Sequence, residues 1–137
     1  MIIKEPEKAK QLVCFDGLTL QGRHGYHNVW PTDIDGYIQL DVENLFIFLE
    51  LKFKGGMKYG QDKALTRLAD AIGENAYVLL AEHDVADPRR PIMAKDSIVI
   101  RIYRGRMGWY ETTGTVKSII DKMITQRREV RQLWKTR

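Results

Sequence analysis

Three side chains define the chemistry open to this chain. Glu50 and Lys52 lie two residues apart, so an extended strand puts both on one face. The same face carries Phe46 and Phe48, which marks its first half as one that packs against protein. A carboxylate and an ammonium placed there cost free energy unless they are paired or bound to metal. Asp35 lies on the preceding segment. A turn at Asp41–Asn44, with its midpoint between Val42 and Glu43, sets Asp35 opposite Glu50. Directly opposed carboxylates repel, and a divalent cation between them removes that repulsion. Two carboxylates with several waters suit Mg²⁺ or Mn²⁺. Lys52, roughly 6–7 Å along the strand from Glu50, can then hold an attacking water or steady a phosphate. Asp33 shares the face of Asp35 if the strand begins early, and the roles of auxiliary ligand and turn residue both stay open.

The elements that must position these groups follow from periodicity. Asp35–Leu40 alternates as a strand. Leu45–Lys54 is the strongest strand, with Leu45, Ile47, Leu49, Leu51 and Phe53 on a wholly apolar face. After Gly55 and Gly56, the span Lys58–Glu74 has helical spacing, with Gln61, Leu65, Leu68 and Ile72 on one stripe. Gln61 heads that stripe, and an inward amide needs a polar partner such as Lys52, a phosphate or a water. Ala76–Ala81 reads as a buried strand, so strand, helix and strand predict a crossover in an α/β sheet. Asp84–Lys95, with two prolines, reads as a loop. Ser97–Tyr103 and Trp109–Glu111 form a hairpin about a Gly105–Gly108 turn. Thr115 caps a last helix with Val116, Ile119, Ile120, Met123 and Ile124 facing inward.

Composition narrows the class. With 137 residues, 44% hydrophobic and 29% charged, the chain reads as one globular domain, with 1–10 and 127–137 as ends that can stay mobile. No apolar run reaches the roughly 18 residues of a membrane span, and Met1–Pro6 has no secretory h-region. The single cysteine, Cys14, excludes an intrachain disulfide and a cysteine-cluster zinc site, and points to a reducing cytoplasm. Cys14 shows no sign of activation. Gly55 and Gly56 lack the flanking pattern of a P-loop or dinucleotide fingerprint.

Asp35, then Glu50–Lys52, then Gln61 on the next helix resembles the PD-(D/E)xK nuclease superfamily. The local pattern is similar to archaeal Holliday-junction resolvases and VRR-type nuclease domains. The runs Pro31–Gly36, Phe48–Lys52, Tyr59–Gln61 and Ala81–His83, with the hairpin ending in Trp109, resemble small phage-borne members more closely. The resemblance covers about Pro31–Asp84 well and the rest loosely. It implies a restriction-endonuclease-like mixed central sheet flanked by helices, with an added C-terminal hairpin and helix. It implies Mg²⁺-dependent hydrolysis of DNA phosphodiesters, endonucleolytic and structure-selective, by an intracellular protein of phage or prophage origin. On that reading Asp35, Glu50 and the Leu51 carbonyl hold the metal, Lys52 orients the water, and Gln61 positions water or phosphate. Junction-cleaving relatives work as dimers, so a homodimer is a family-level expectation. Such proteins often carry an acidic residue on a first helix; here only Glu7 and Asp16 are candidates, which leaves a second metal in doubt.

Other groups carry competing readings. His24 and His27, in a glycine-bearing loop, contact phosphate or ligate metal, or are simply exposed. His83, within Glu82–Asp84 at a strand end, ligates or caps a turn. Trp109 and Tyr110 stack on bases or pack under a helix. The charge is local: Lys117–Arg137 holds seven Lys/Arg against two Asp/Glu, a net of +5, while the preceding 116 residues hold 15 against 16, a net of −1. Arg127, Arg128 and Arg131, with Lys54 and Lys58 near the charged strand end, are the expected DNA contacts. The tail is expected to add salt-sensitive phosphate affinity. Two further functions compete: a nucleic-acid-binding module that has lost catalysis, and a small interaction protein whose basic tail meets an acidic partner.

Overall fold

The structure is a computed structural model and describes residues 34–55 and 63–135. His24, His27, Asp33, Lys58 and Gln61, with Glu7, Cys14, Asp16 and the N-terminal end 1–10, lie outside the described residues. The elements are β1 (Gly36–Leu40), β2 (Leu45–Phe53), α1 (Lys63–Ile72), β3 (Ala76–His83), β4 (Ile98–Arg104), β5 (Gly108–Thr115) and α2 (Val116–Lys135). A short 3₁₀ turn, Ala94–Asp96, breaks the loop before β4. The five strands form one mixed sheet in the order β1-β2-β3-β4-β5. Only β2 and β3 are parallel, joined by the α1 crossover that the sequence predicts. Among the described residues no helix is long and apolar enough to cross a membrane.

The first hairpin closes through Asp41–Asn44, where Asn44 takes φ 54°, a left-handed conformation that asparagine tolerates. Its register pairs Gly36 with Leu49 and Leu40 with Leu45, the pairing that a midpoint between Val42 and Glu43 dictates. Each face of the sheet then buries its own apolar set. Leu45, Ile47, Leu49, Leu79, Val99 and Ile102 lie beneath Val116, Ile119 and Met123 of α2. Phe48, Val78 and Leu80 lie beneath Leu65 and Ala69 of α1. Each of these large side chains contributes about 1.5–3 kcal/mol by leaving water. The helix start behaves as its sequence predicts: Thr115 Oγ1 accepts the Ser118 N–H at 3.1 Å, an N-cap bond.

Two elements differ from expectation. The stripe of α1 is rotated, so Leu65 and Ala69 are buried while Leu68 and Ile72 stay 40% and 37% exposed. Ala69 is fully buried in the cluster under α1, and the main chain at that end of the helix comes close to Gly105. A Cβ on Gly105 would stand 2.3 Å from the Ala69 carbonyl oxygen. Strand β5 extends past Glu111 to Thr115. Its second half, Thr112–Thr115, has no large apolar residues to mark it as a strand, and Gly114 passes close under α2. A Cβ there would meet Ser118 Oγ at 3.0 Å and Ile119 Cδ1 at 3.3 Å.

The last turn of α1 is tied to the β4–β5 turn through Asp70. Its Oδ1 accepts the Tyr103 hydroxyl and the Arg106 N–H, both at 2.7 Å. The Arg106 amide, then the Tyr103 hydroxyl, hold the Asp70 carboxyl below its ordinary value of 3.8. A depressed folded value means stability that is present above the unfolded value and is lost as pH falls through the folded one. We therefore expect Asp70→Asn to unfold at lower urea than wild type at about pH 6. The gap should close as the buffer is acidified below 3.8. A gap independent of pH would remove Asp70 from this account.

Candidate active site

The register of the first hairpin continues one residue beyond β1. Asp35, at the bend before Gly36, thus falls opposite Glu50, one step past the Gly36–Leu49 pair. Its Oδ2 accepts the Leu51 N–H at 2.7 Å. The carboxylate therefore takes over the edge of β2 where β1 stops. A strand residue directs its N–H and C=O to the same neighbour, so the Leu51 carbonyl also faces the Asp35 side. The Leu51 side chain joins the cluster under α2. One of roughly four acceptor positions on the Asp35 carboxylate is used by the amide.

Glu50 follows Phe46 and Phe48 on the α1 face and is buried, at 9% exposed. Its Oε1 lies 2.9 Å from Lys52 Nζ. The Lys52 side chain is 39% exposed, so solvent screening holds this ion pair to about 1 kcal/mol or less. Next to Glu50 on β3 is Leu80, and next to Lys52 is Glu82. The α1 face thus turns from apolar to charged along β2, where burial falls off toward Phe53. That border lies at the carboxyl ends of the parallel pair, where α/β sheets often place ligands.

Beyond it, Lys54 is exposed and its N–H donates to the His83 carbonyl at 2.7 Å. A cavity of about 540 Å³ opens there, lined among the described residues by Lys54, Glu82, His83, Asp96 and Ile98 among others. His83 Nδ1 accepts the Val85 N–H at 3.2 Å, which leaves Nε2 to carry the proton of the neutral ring. The ring also packs edge-on to Phe53 at 5.8 Å. His83 thus caps the exit from β3, one strand away from the Glu50–Lys52 pair. On the hairpin, Trp109 packs edge-on against Tyr103 at 5.1 Å under α1.

The three tail arginines converge at the other end of the sheet. The stretch 127–135 forms the last turns of α2. Arg127 donates to Asn75 Oδ1 at 2.6 Å, Arg128 to Glu43 Oε1 at 3.1 Å and Arg131 to the Val42 carbonyl at 3.1 Å. The β1–β2 turn that Arg128 and Arg131 grip is about 23 Å along β2 from Lys52, at 3.3 Å per residue. Sequence reasoning missed the partner here: Glu43, only 7% exposed, had the appearance of an ordinary turn residue. Arg128→Ala removes the guanidinium from this buried carboxylate. The expected loss is about 1–2 kcal/mol in urea unfolding, reduced from a fully buried pair because the Arg128 side chain is 69% exposed. No change in unfolding midpoint would show the contact to be inert.

Asp35, Glu50 and the Leu51 carbonyl are hard oxygen donors on adjacent strand positions, a set that fits one Mg²⁺ or Mn²⁺ with waters completing the sphere. Among the described residues no group of three or more His, Cys, Asp or Glu side chains gathers for a metal. Comparisons with protein-family profiles, with curated proteins and with solved structures find no match for this chain.

Proposed function

We propose that this chain is a divalent-metal-dependent nuclease that hydrolyses DNA phosphodiester bonds on a restriction-endonuclease-like arrangement of its mixed sheet. The observation that carries the reading is the placement of Asp35 opposite the Glu50–Lys52 stretch of β2, with its carboxylate bonded to the amide between them. Asp35 bonds Leu51 N–H at 2.7 Å, Glu50 precedes that amide, and Lys52 stands 2.9 Å from Glu50. Asp35, Glu50 and the Leu51 carbonyl would hold the ion. When bound, Mg²⁺ or Mn²⁺ supplies Lewis-acid neutralisation of charge developing on the phosphate. Lys52, an ammonium with three donors, orients the attacking water and steadies a non-bridging phosphate oxygen. The Leu51 amide fixes the Asp35 carboxylate, and burial fixes that of Glu50, so little reorganisation is needed as the phosphate arrives.

The competing reading, a nucleic-acid-binding module without catalysis, draws on the same contacts. Asp35 to a backbone amide and Glu50 to Lys52 also serve to hold a strand end. The experiment that separates them is a panel of linear, nicked, flap and four-way DNA, incubated with pure protein in Mg²⁺ or Mn²⁺ and in chelator. Cleavage of at least one substrate that needs the metal is expected. Binding across the panel with no cleavage in either metal would establish the module instead.

A further inference from the structure

Two arginines from distant elements are drawn to the turn that leads into β3. Arg104, the last residue of β4, donates from Nε to the Glu74 carbonyl at 2.8 Å, and its guanidinium lies over the Tyr77 ring at 5.5 Å. Arg127, on α2, donates from Nη2 to Asn75 Oδ1 at 2.6 Å. Glu74 and Asn75 are neighbours in the chain, so both guanidiniums are anchored on one short stretch. Every one of these partners is neutral: a backbone carbonyl, a side-chain amide and a ring face. The Glu74 side chain is exposed, and the ion pairs among the described residues use cations other than Arg104 and Arg127. Each guanidinium uses one of its five N–H donors in these bonds.

Both arginines line one cavity of about 180 Å³, with Tyr77 and Gln126 beside them. Leu45, Met123 and Val130 give that cavity apolar walls. Two like charges beside apolar walls repel with less screening than in water. Arginine cannot relieve this by losing its proton. An anion in the cavity does relieve it, and two planar forks of donors match the oxygens of a tetrahedral oxyanion. The size agrees. At about 30 Å³ per water the cavity has room for roughly six waters. That suits a phosphate with part of its hydration shell, and it falls short of the roughly 300 Å³ at which sites for larger organic ligands begin.

We propose that Arg104 and Arg127 together form a binding site for one phosphate group. The site is separate from the Glu50–Lys52 pair. Tyr77 pairs with Ile47, three residues before Glu50 and about 10 Å along β2. Tyr77 also packs in the cluster under α2, while Glu50 is on the α1 face. The proposal therefore stands whether or not the chain is a nuclease. The phosphate group has two possible sources, a free phosphate or the backbone of a DNA strand, and both present the same oxygens to the two forks. Arginines that serve only to tie β4 and α2 to the turn before β3 would show no preference for phosphate over chloride.

The test is calorimetric titration of the full chain with inorganic phosphate, in chloride buffer held at constant ionic strength. A short DNA duplex is titrated in parallel over a salt series, and thermal midpoints are read alongside. Wild-type protein is expected to bind one phosphate. Arg104→Gln and Arg127→Gln are each expected to weaken that binding about tenfold, as the loss of a charge-assisted contact implies. Gln126 is exposed, so Gln126→Glu is expected to fold as wild type while its carboxylate, placed beside the cavity, weakens phosphate binding by a similar factor. If the arginine variants do not fold, Gln126→Glu decides, and wild-type phosphate affinity in that variant would overturn the proposal. Unchanged phosphate affinity in a folded arginine variant would overturn it as well. A slope of log K for DNA against log salt that falls by about one in the variants identifies a backbone phosphate as the occupant. Lost phosphate binding with an unchanged DNA slope identifies free phosphate. Wild-type protein that does not distinguish phosphate from chloride, with DNA slopes equal in wild type and variants, leaves the arginines as structural ties and sinks the site.

Discussion

On the proposed nuclease reading, Glu50→Gln is expected to reduce metal-dependent DNA cleavage by about a thousandfold or more while the protein stays folded. The side chain keeps its size, so the α1 face keeps its packing against Leu80. What changes is charge. As the proposed metal ligand, Glu50 would take part in charge stabilisation worth several kcal/mol, and each 1.4 kcal/mol is a factor of about ten. Lys52 also loses its anionic partner at 2.9 Å, which frees the ammonium from the geometry that aims it. Stability should move little, because the pair is largely screened at Lys52 and an amide oxygen can still accept its hydrogen bond. The measurement is single-turnover cleavage of the best substrate in Mg²⁺, with a thermal melt of the same sample. Near-wild-type cleavage by a folded Glu50→Gln protein would show that the chemistry lies elsewhere.

The largest effect on stability is expected far from that site, at Gly105→Ala. Gly105 begins the β4–β5 turn, and its N–H donates to the Ala76 carbonyl at 2.8 Å. A Cβ there would lie 2.1 Å from the Gly73 carbonyl oxygen and 2.3 Å from that of Ala69. Both are main-chain atoms at the end of α1, so no side chain can rotate away. The helix end must lift, and the contacts of Asp70 with Tyr103 and Arg106 lift with it. Overpacking against backbone costs about 3 kcal/mol or more, which for a unit of this size lowers the thermal midpoint by about 10 °C. A melt within a couple of degrees of wild type would mean that the helix yields freely.

The turn at Asp41–Asn44 made the first hairpin legible, because a turn midpoint and a period of two together fix every pair between β1 and β2. The same arithmetic placed Asp35 against Glu50. It did not reveal that Asp35 would bond the Leu51 amide, because a side chain's choice of backbone partner leaves no periodic trace. The start of α2 was legible in Thr115 and the apolar spacing after it. The face of α1 was misplaced because the stripe was drawn through Leu68 and Ile72, while the sheet buries Leu65 and the small Ala69. Glu43 was passed over because its burial depends on an arginine 85 residues away. The departures share a cause: each depends on contact between distant segments, while the correct readings depend on local period.

The grip of α2 on the β1–β2 turn has a consequence for how the chain comes to be made. The bonded pairs join residues 85 and 89 positions apart, and closing loops of that length costs entropy before any contact repays it. The hairpin that presents Asp35 is synthesised well before the arginines that hold its turn. Until they emerge, the nascent chain carries an unlatched first hairpin with Glu43 waiting for its cation. Arg128 and Arg131 are in this sense a late stitch of the sheet, and a chain that lacks them loses its hold on the β1–β2 turn.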